Sequence, residues 1–295
     1  VRSGRLISLL LVVATAAATS AASPDAGAPK PPPPESPERP DRPERDFQRM
    51  PGPPKEEGPI RRDERAEQVL QAAIKAQGGA DSISGRQTIY VRSRIKNYDY
   101  PEPEMGTITV WFKRPFKIRQ EVTYPHKKEI RAFDGERAWV DAGKGAMLLG
   151  PLMARMMERG IRELDSPLLY AEGNLTYLSV AKDPKGRMTQ KLSWRYQGYA
   201  RDIMVDIATN RVLVIGEFDT PAGAISRMKV FDDYRSVQGM MLPFHQETFR
   251  NDQRYSEADV IEAKFNSPID DALFSFPGPD SSPESEKPAT SPSPR

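Results

Sequence analysis

The chain contains no cysteine, which excludes a thiol nucleophile, a disulfide, a thiolate metal site and a lipid-modified cysteine. Histidine is almost as scarce. His126 and His245 stand far apart, with no HExxH or comparable spacing, so no metal motif is present. The GxSxG elbow of serine hydrolases and the glycine patterns that cradle phosphates are missing too. Net charge is also lacking. There are 43 Lys and Arg against 41 Asp and Glu, and residues 1–22 hold two arginines and no acid. The remainder is balanced, which removes the electrostatic signature of a nucleic-acid or anionic-membrane binder.

The apolar stretch Leu6 to Ala14, preceded by Arg2 and Arg5, is short for a bilayer span. Small residues at Ser20, Ala21 and Ala22 then offer a cleavage point. This pattern predicts a cleaved export signal over 1–22 and a periplasmic destination, with no stable transmembrane anchor afterwards. Proline is abundant in the next stretch, with 13 prolines among the 38 residues of 23–60. Mixed with Glu, Arg and Asp, it predicts a disordered, partly polyproline II linker. Residues 277–295 repeat this composition and predict a disordered tail. One folded domain, 61–276, remains.

That domain opens on a helical pattern, Ala66, Val69, Leu70, Ala73 and Ile74, ended by Gly78-Gly79. Short alternating segments follow, such as Ile89, Val91, Ser93 and Ile95 against Tyr90, Arg92 and Arg94. Tight turns at Asp134-Gly135, Asp183 to Gly186 and Thr209-Asn210 join others. About eleven strands in antiparallel meander order are expected, enough to curl strongly. Met147 to Tyr170 interrupts them with an amphipathic helical pattern stopped at Ser166-Pro167. Its four methionines, at 147, 153, 156 and 157, fit core filling, a ligand- or partner-facing surface, or a copper site.

Several stretches together resemble the periplasmic lipoprotein-carrier and outer-membrane lipoprotein-sorting proteins, the LolA/LolB-like superfamily. They are AEQVLQAAIKAQGG at the start, WFKRPFKIRQEVTYP at 111–125, FDGERAWV at 133–140, FDDYRSVQGMMLPF at 231–244 and FNSPIDDALF at 265–274. The resemblance implies an α+β fold: a strongly curved antiparallel sheet forming an incomplete β-barrel, with an N-terminal helix and a central lid or plug helix. It further implies a non-enzymatic carrier whose apolar cavity holds lipid or lipoprotein acyl chains, without a cofactor. By motif position it assigns Arg119 to fastening the lid.

Strand parity then nominates Ile108, Val110, Phe112, Ile118, Val122, Ile203 and Val205 as ligand-facing residues, with Leu149, Leu152, Met153 and Met156 from the helix. An envelope sensor or protein-binding module remains the alternative, expected to have a filled interior and an exposed apolar patch. Hydrolysis by paired carboxylates, for which Asp202, Asp206, Asp232 and Asp233 are the candidates, is weaker. Asp202 and Asp206 share the polar face opposite Ile203, Val205 and Ile207, where solvation explains them.

Overall fold

The computed structural model describes residues 59–98, 102–162, 164, 167–196, 199–218 and 225–278. The expected export signal, the linker up to residue 58 and the tail from 279 lie outside the described residues. So do the side chains of Leu152 and Met156.

The first helix, α1, spans Glu64–Gln77. Asp63 caps it: one carboxylate oxygen accepts from the backbone N–H of Arg65 at 2.8 Å and of Ala66 at 3.2 Å. Glu64 and Glu67 in the first turn and Lys75 in the last complement the helix dipole. Gly78 ends the helix at φ 127°, a conformation that a residue with a Cβ rarely adopts. A short helix, α2, follows at Ala80–Ser84.

Six strands come next: β1 Thr88–Asn97, β2 Glu104–Lys113, β3 Lys117–Tyr124, β4 Lys127–Phe133, β5 Ala138–Asp141 and β6 Ala146–Leu148. Helix α3, Pro151–Arg162, and a 3-10 turn at Leu168–Ala171 then lead to the second run. This comprises β7 Asn174–Lys182, β8 Met188–Tyr196, β9 Tyr199–Asp206, β10 Val212–Phe218, β11 Ile225–Val237, β12 Met240–Arg250 and β13 Gln253–Phe265. A last 3-10 turn lies at Asp271–Leu273.

All thirteen strands form one sheet in the order β6-β5-β4-β3-β2-β1-β13-β12-β11-β10-β9-β8-β7, every neighbouring pair antiparallel. The chain walks outward from β1 to one edge, returns through α3 to the opposite edge, and walks back until β13 pairs with β1. The register sets one continuous face. Val91 lies opposite Val110, Ser93 opposite Ile108, Ile95 opposite Ala258, and Ile203 opposite Ile215. All of these but Ser93, itself buried, belong to the main core, together with Ala66, Val69, Leu70, Ala73 and Ile74 of α1. Leu213, Val214 and Val230 form a separate small cluster.

Four expectations are corrected. The sheet has thirteen strands instead of about eleven. It is open, with β6 and β7 as its two ends, so the incomplete, strongly curled β-barrel is not what forms. The pairing that would begin closure requires hydrogen bonds between those ends; among the described residues β6 pairs with β5, and β7 pairs with β8 and, through Leu175, bridges Arg62 ahead of α1. Nor is the fold built around a central lid or plug helix. Among the described residues only α1 and α3 exceed two turns; α1 packs on β7 and β12, whereas α3 lies against β4 and β5, off to one wing. The helical pattern also starts later than Met147. Met147 and Leu148 pair with Val140 and Trp139 as a strand, because three residues satisfy either period and the β5 edge supplied a partner.

Candidate functional site

A cavity of ≈ 70 Å³ interrupts the core where the last residue of α1, Gln77, meets Arg86, Leu164, Tyr170 and the sheet. At about 10–15 Å³ per water position, that is room for roughly five waters. The sheet supplies its apolar walls: Ile89 and Val91 from β1, Phe265 from β13, Leu242 from β12, Phe231 from β11, and Val212 and Ile215 from β10. Three cations also line it. Arg86, Arg201 and Lys229 are each at most 4% exposed, and no described lining residue is acidic.

Two of these cations are held from behind by one carboxylate. On β10, Glu217 stands opposite Arg201 of β9 and Arg227 of β11. Its Oε1 receives Lys229 Nζ at 3.0 Å, with Arg201 Nη2 at 3.8 Å, and its Oε2 receives Arg227 Nη1 at 2.9 Å. Burial alone would raise the Glu217 pKa, but the charges of Lys229, Arg201 and Arg227 outweigh it and bring the value to about 2. The carboxylate therefore stays ionised throughout the physiological range.

Arg86 has a different task. Its Nε donates to Ile83 O at 3.0 Å and its Nη2 to Leu164 O at 2.8 Å, while its guanidinium lies 5.6 Å from the Phe265 ring centroid. It ties the segment after α3 to the start of the sheet. Tyr234 donates its hydroxyl to Val212 O, and burial pushes its pKa up, so it remains a donor. Tyr170, 0% exposed, packs edge-on against Trp194 at 5.3 Å between ring centroids. Its hydroxyl is buried with no hydrogen-bond partner among the described residues, as are Ser93 Oγ and Ser256 Oγ on the same sheet face.

Of the residues nominated from sequence, Ile108, Val110, Phe112, Ile118, Ile203 and Val205 are buried in the main core, and Val122 and Leu149 pack against it. Met153 is half-buried. None of these lines the cavity, yet four stand one ladder step from residues that do: Val110 opposite Val91, Phe112 opposite Ile89, Ile203 opposite Ile215 and Val205 opposite Val212. Arg119 reaches a helix-end carbonyl, but in the C-terminal 3-10 turn: its Nη1 donates to Leu273 O at 3.0 Å, and its Nη2 to Glu121 at 2.6 Å. Its guanidinium lies 5.5 Å from the Trp139 ring.

Sequence reasoning passed over the cations, although parity marked two of them. Arg201 is in step with Ile203 and Val205, and Lys229 with Phe231, so each is a charge written into an inward-facing row. Arg86 sits between elements and gave no such signal. Three of the four carboxylates weighed for hydrolysis pair with cations instead, Asp202 with Lys191 at 2.8 Å, Asp232 with Lys185 at 3.1 Å and Asp233 with Arg235 at 2.6 Å, while Asp206 accepts from the Thr209 backbone N–H at 3.0 Å. Among the described residues no group of three or more His, Asp or Glu is placed to hold a metal. The arrangement is suited to holding a molecule with an apolar body. Among the described residues, no helix is long and apolar enough to cross a membrane.

No family model and no curated protein matches the chain. Solved structures do resemble it at a distance. A putative outer membrane lipoprotein-sorting protein domain from Vibrio parahaemolyticus is 12% identical, with 72% of this chain and 96% of that one covered at a TM-score of 0.48. A LolA superfamily protein from Nitrosomonas europaea is 14% identical over 71% and 97% of the two chains, at 0.48. A DUF1329 family protein from Desulfovibrio piger is 11% identical over 71% and 97%, at 0.49. The chain is thus distantly similar to solved LolA-superfamily and lipoprotein-sorting domains.

Proposed function

We propose that this chain is a non-catalytic periplasmic binding or carrier protein for a lipid, lipoprotein acyl chains or a similar apolar ligand. The observation that carries this reading is the largely apolar cavity between the sheet face, the end of α1 and the Leu164–Tyr170 segment. At ≈ 70 Å³ it admits only part of an acyl chain, so a full chain enters by displacing side chains or the segment tied by Arg86. The wall it would then meet comprises Val110, Phe112, Ile203 and Val205, one ladder step out, followed by Ile108, Ile118 and Val122. Leu149, which packs against the same core, extends this wall, and Arg119 steadies the C-terminal 3-10 turn through Leu273.

Eight buried methylenes contribute about 6 kcal/mol gross, enough to retain a chain after ordering costs. Mass spectrometry of lipid extracted from gently purified protein, together with displacement of a fluorescent acyl probe, tests this. Bound lipid and displacement are expected; protein that is folded, empty and inert to the probe refutes the carrier.

A second reading, an envelope sensor or protein-binding module, is favoured by one observation. Leu178, Val180, Met188 and Ile207 are 44–46% exposed on β7, β8 and just past the end of β9, at an open edge of the sheet. An envelope protein partner would dock there.

A further inference from the structure

The polar groups of the cavity say more about its occupant than the apolar ones do. A site for hydrocarbon alone has no use for buried ammonium and guanidinium groups, each of which is costly to bring out of water. Here Arg201 is 3% and Lys229 4% exposed, and both line the space while Glu217 stands outside it. Each touches Glu217 Oε1, so their positive ends lie side by side. Tyr170 adds a buried hydroxyl with no hydrogen-bond partner among the described residues. Every one of these groups can donate a hydrogen bond, and none brings negative charge into the cavity. Beside them run Phe231, Ile215 and Val212.

Resting on the binding reading above, we propose that this cavity selects single-chain amphiphiles with a carboxylate head, seated against Lys229, Arg201 and Tyr170. Size favours a carboxylate over a phosphodiester. Room for roughly five waters takes a two-oxygen head and the first few methylenes, whereas a glycerophosphate head fills it before any tail is placed. Arg86 is assigned no part in recognition, because its Nε and Nη2 are engaged by Ile83 O and Leu164 O. The acid, not the alcohol or the amine, is the matched ligand: a carboxylate accepts from all three donors, an alcohol brings no charge, and an ammonium meets like charge.

The test compares octanoate, octanol and octylammonium on the full chain freed of copurified lipid, by calorimetric titration at neutral pH. Octanoate is expected to bind at least about tenfold tighter than octanol, the scale of one charge-assisted hydrogen bond, and octylammonium not measurably. Tyr170→Phe removes a hydroxyl that bonds nothing among the described residues, so the fold survives, and the acid-to-alcohol ratio falls several-fold. Lys229→Met lowers it further and Lys229→Arg restores it. Equal binding of acid and alcohol overturns the carboxylate assignment while leaving an apolar-ligand carrier intact, as does a ratio unmoved by Tyr170→Phe. Absence of binding by all three, in folded protein that also carries no lipid, overturns both.

Discussion

Replacing Glu217 by glutamine removes the carboxylate on which Lys229, Arg201 and Arg227 converge, with little change in shape. The cost can be worked from its titration. The pKa falls from the ordinary 4.5 to about 2 in the folded protein, so the folded state binds fewer protons here than the unfolded chain does. At about 1.4 kcal/mol per pH unit, the ionised group contributes roughly 3 kcal/mol of stability. That contribution is complete above pH 4.5 and drains away as pH falls towards 2. Urea unfolding of the wild type and Glu217→Gln, stepped from pH 7 to pH 2, isolates it, because every other carboxylate titrates in both proteins. The two stability curves should lie about 3 kcal/mol apart at pH 7 and converge progressively below pH 4.5. A separation that stays constant across this range, or none at pH 7, refutes the assignment of Glu217 as the balancing charge.

Arg86→Ala deletes two donors to carbonyls and should cost about 2–4 kcal/mol, with faster hydrogen exchange in the 151–171 segment; unchanged exchange would show that Arg86 does not tie it. Tyr234→Phe leaves Val212 O without its hydroxyl donor and should lower stability by about 1 kcal/mol in chemical denaturation, a loss absent if water replaces it. Gly78→Ala forces a methyl group onto φ 127° beside Gly239 O at 3.3 Å and should lower the thermal midpoint by the equivalent of about 1–3 kcal/mol; an unaltered midpoint would mean the backbone relaxes there freely.

The sheet was legible in sequence wherever one face is dry. Ile89, Val91 and Ile95 alternate with Tyr90, Arg92 and Arg94, and the structure places the first set in the core. The strand count was not, because β6 is three residues long and its Met147 and Leu148 also suit a helix start. Nor was the openness of the sheet. Local alternation records which face is buried and says nothing about which strands find partners at the ends. For the site, parity nominated an apolar wall one step from the cavity. Its cations were missed because a lone Arg or Lys in a strand is ordinarily solvated, and only the cross-strand register brings Arg201, Glu217, Arg227 and Lys229 to one place. The link from Arg86 to Leu164 joins residues 78 apart in the chain, a separation that no local pattern encodes.

The pairing of β1 with β13 at the middle of the sheet governs how the molecule is made. Ile89 meets Phe265 and Asn97 meets Ser256, so the first strand synthesised waits for the last before both its sides are satisfied. Closing so large a loop carries an entropic cost before any contact compensates it, which places this chain among slow folders with high contact order. Until β13 emerges, β1 presents a row of bare backbone donors and acceptors, an edge that recruits strands from other molecules. A product terminated before Gln253 keeps that edge permanently, and aggregation is its expected fate.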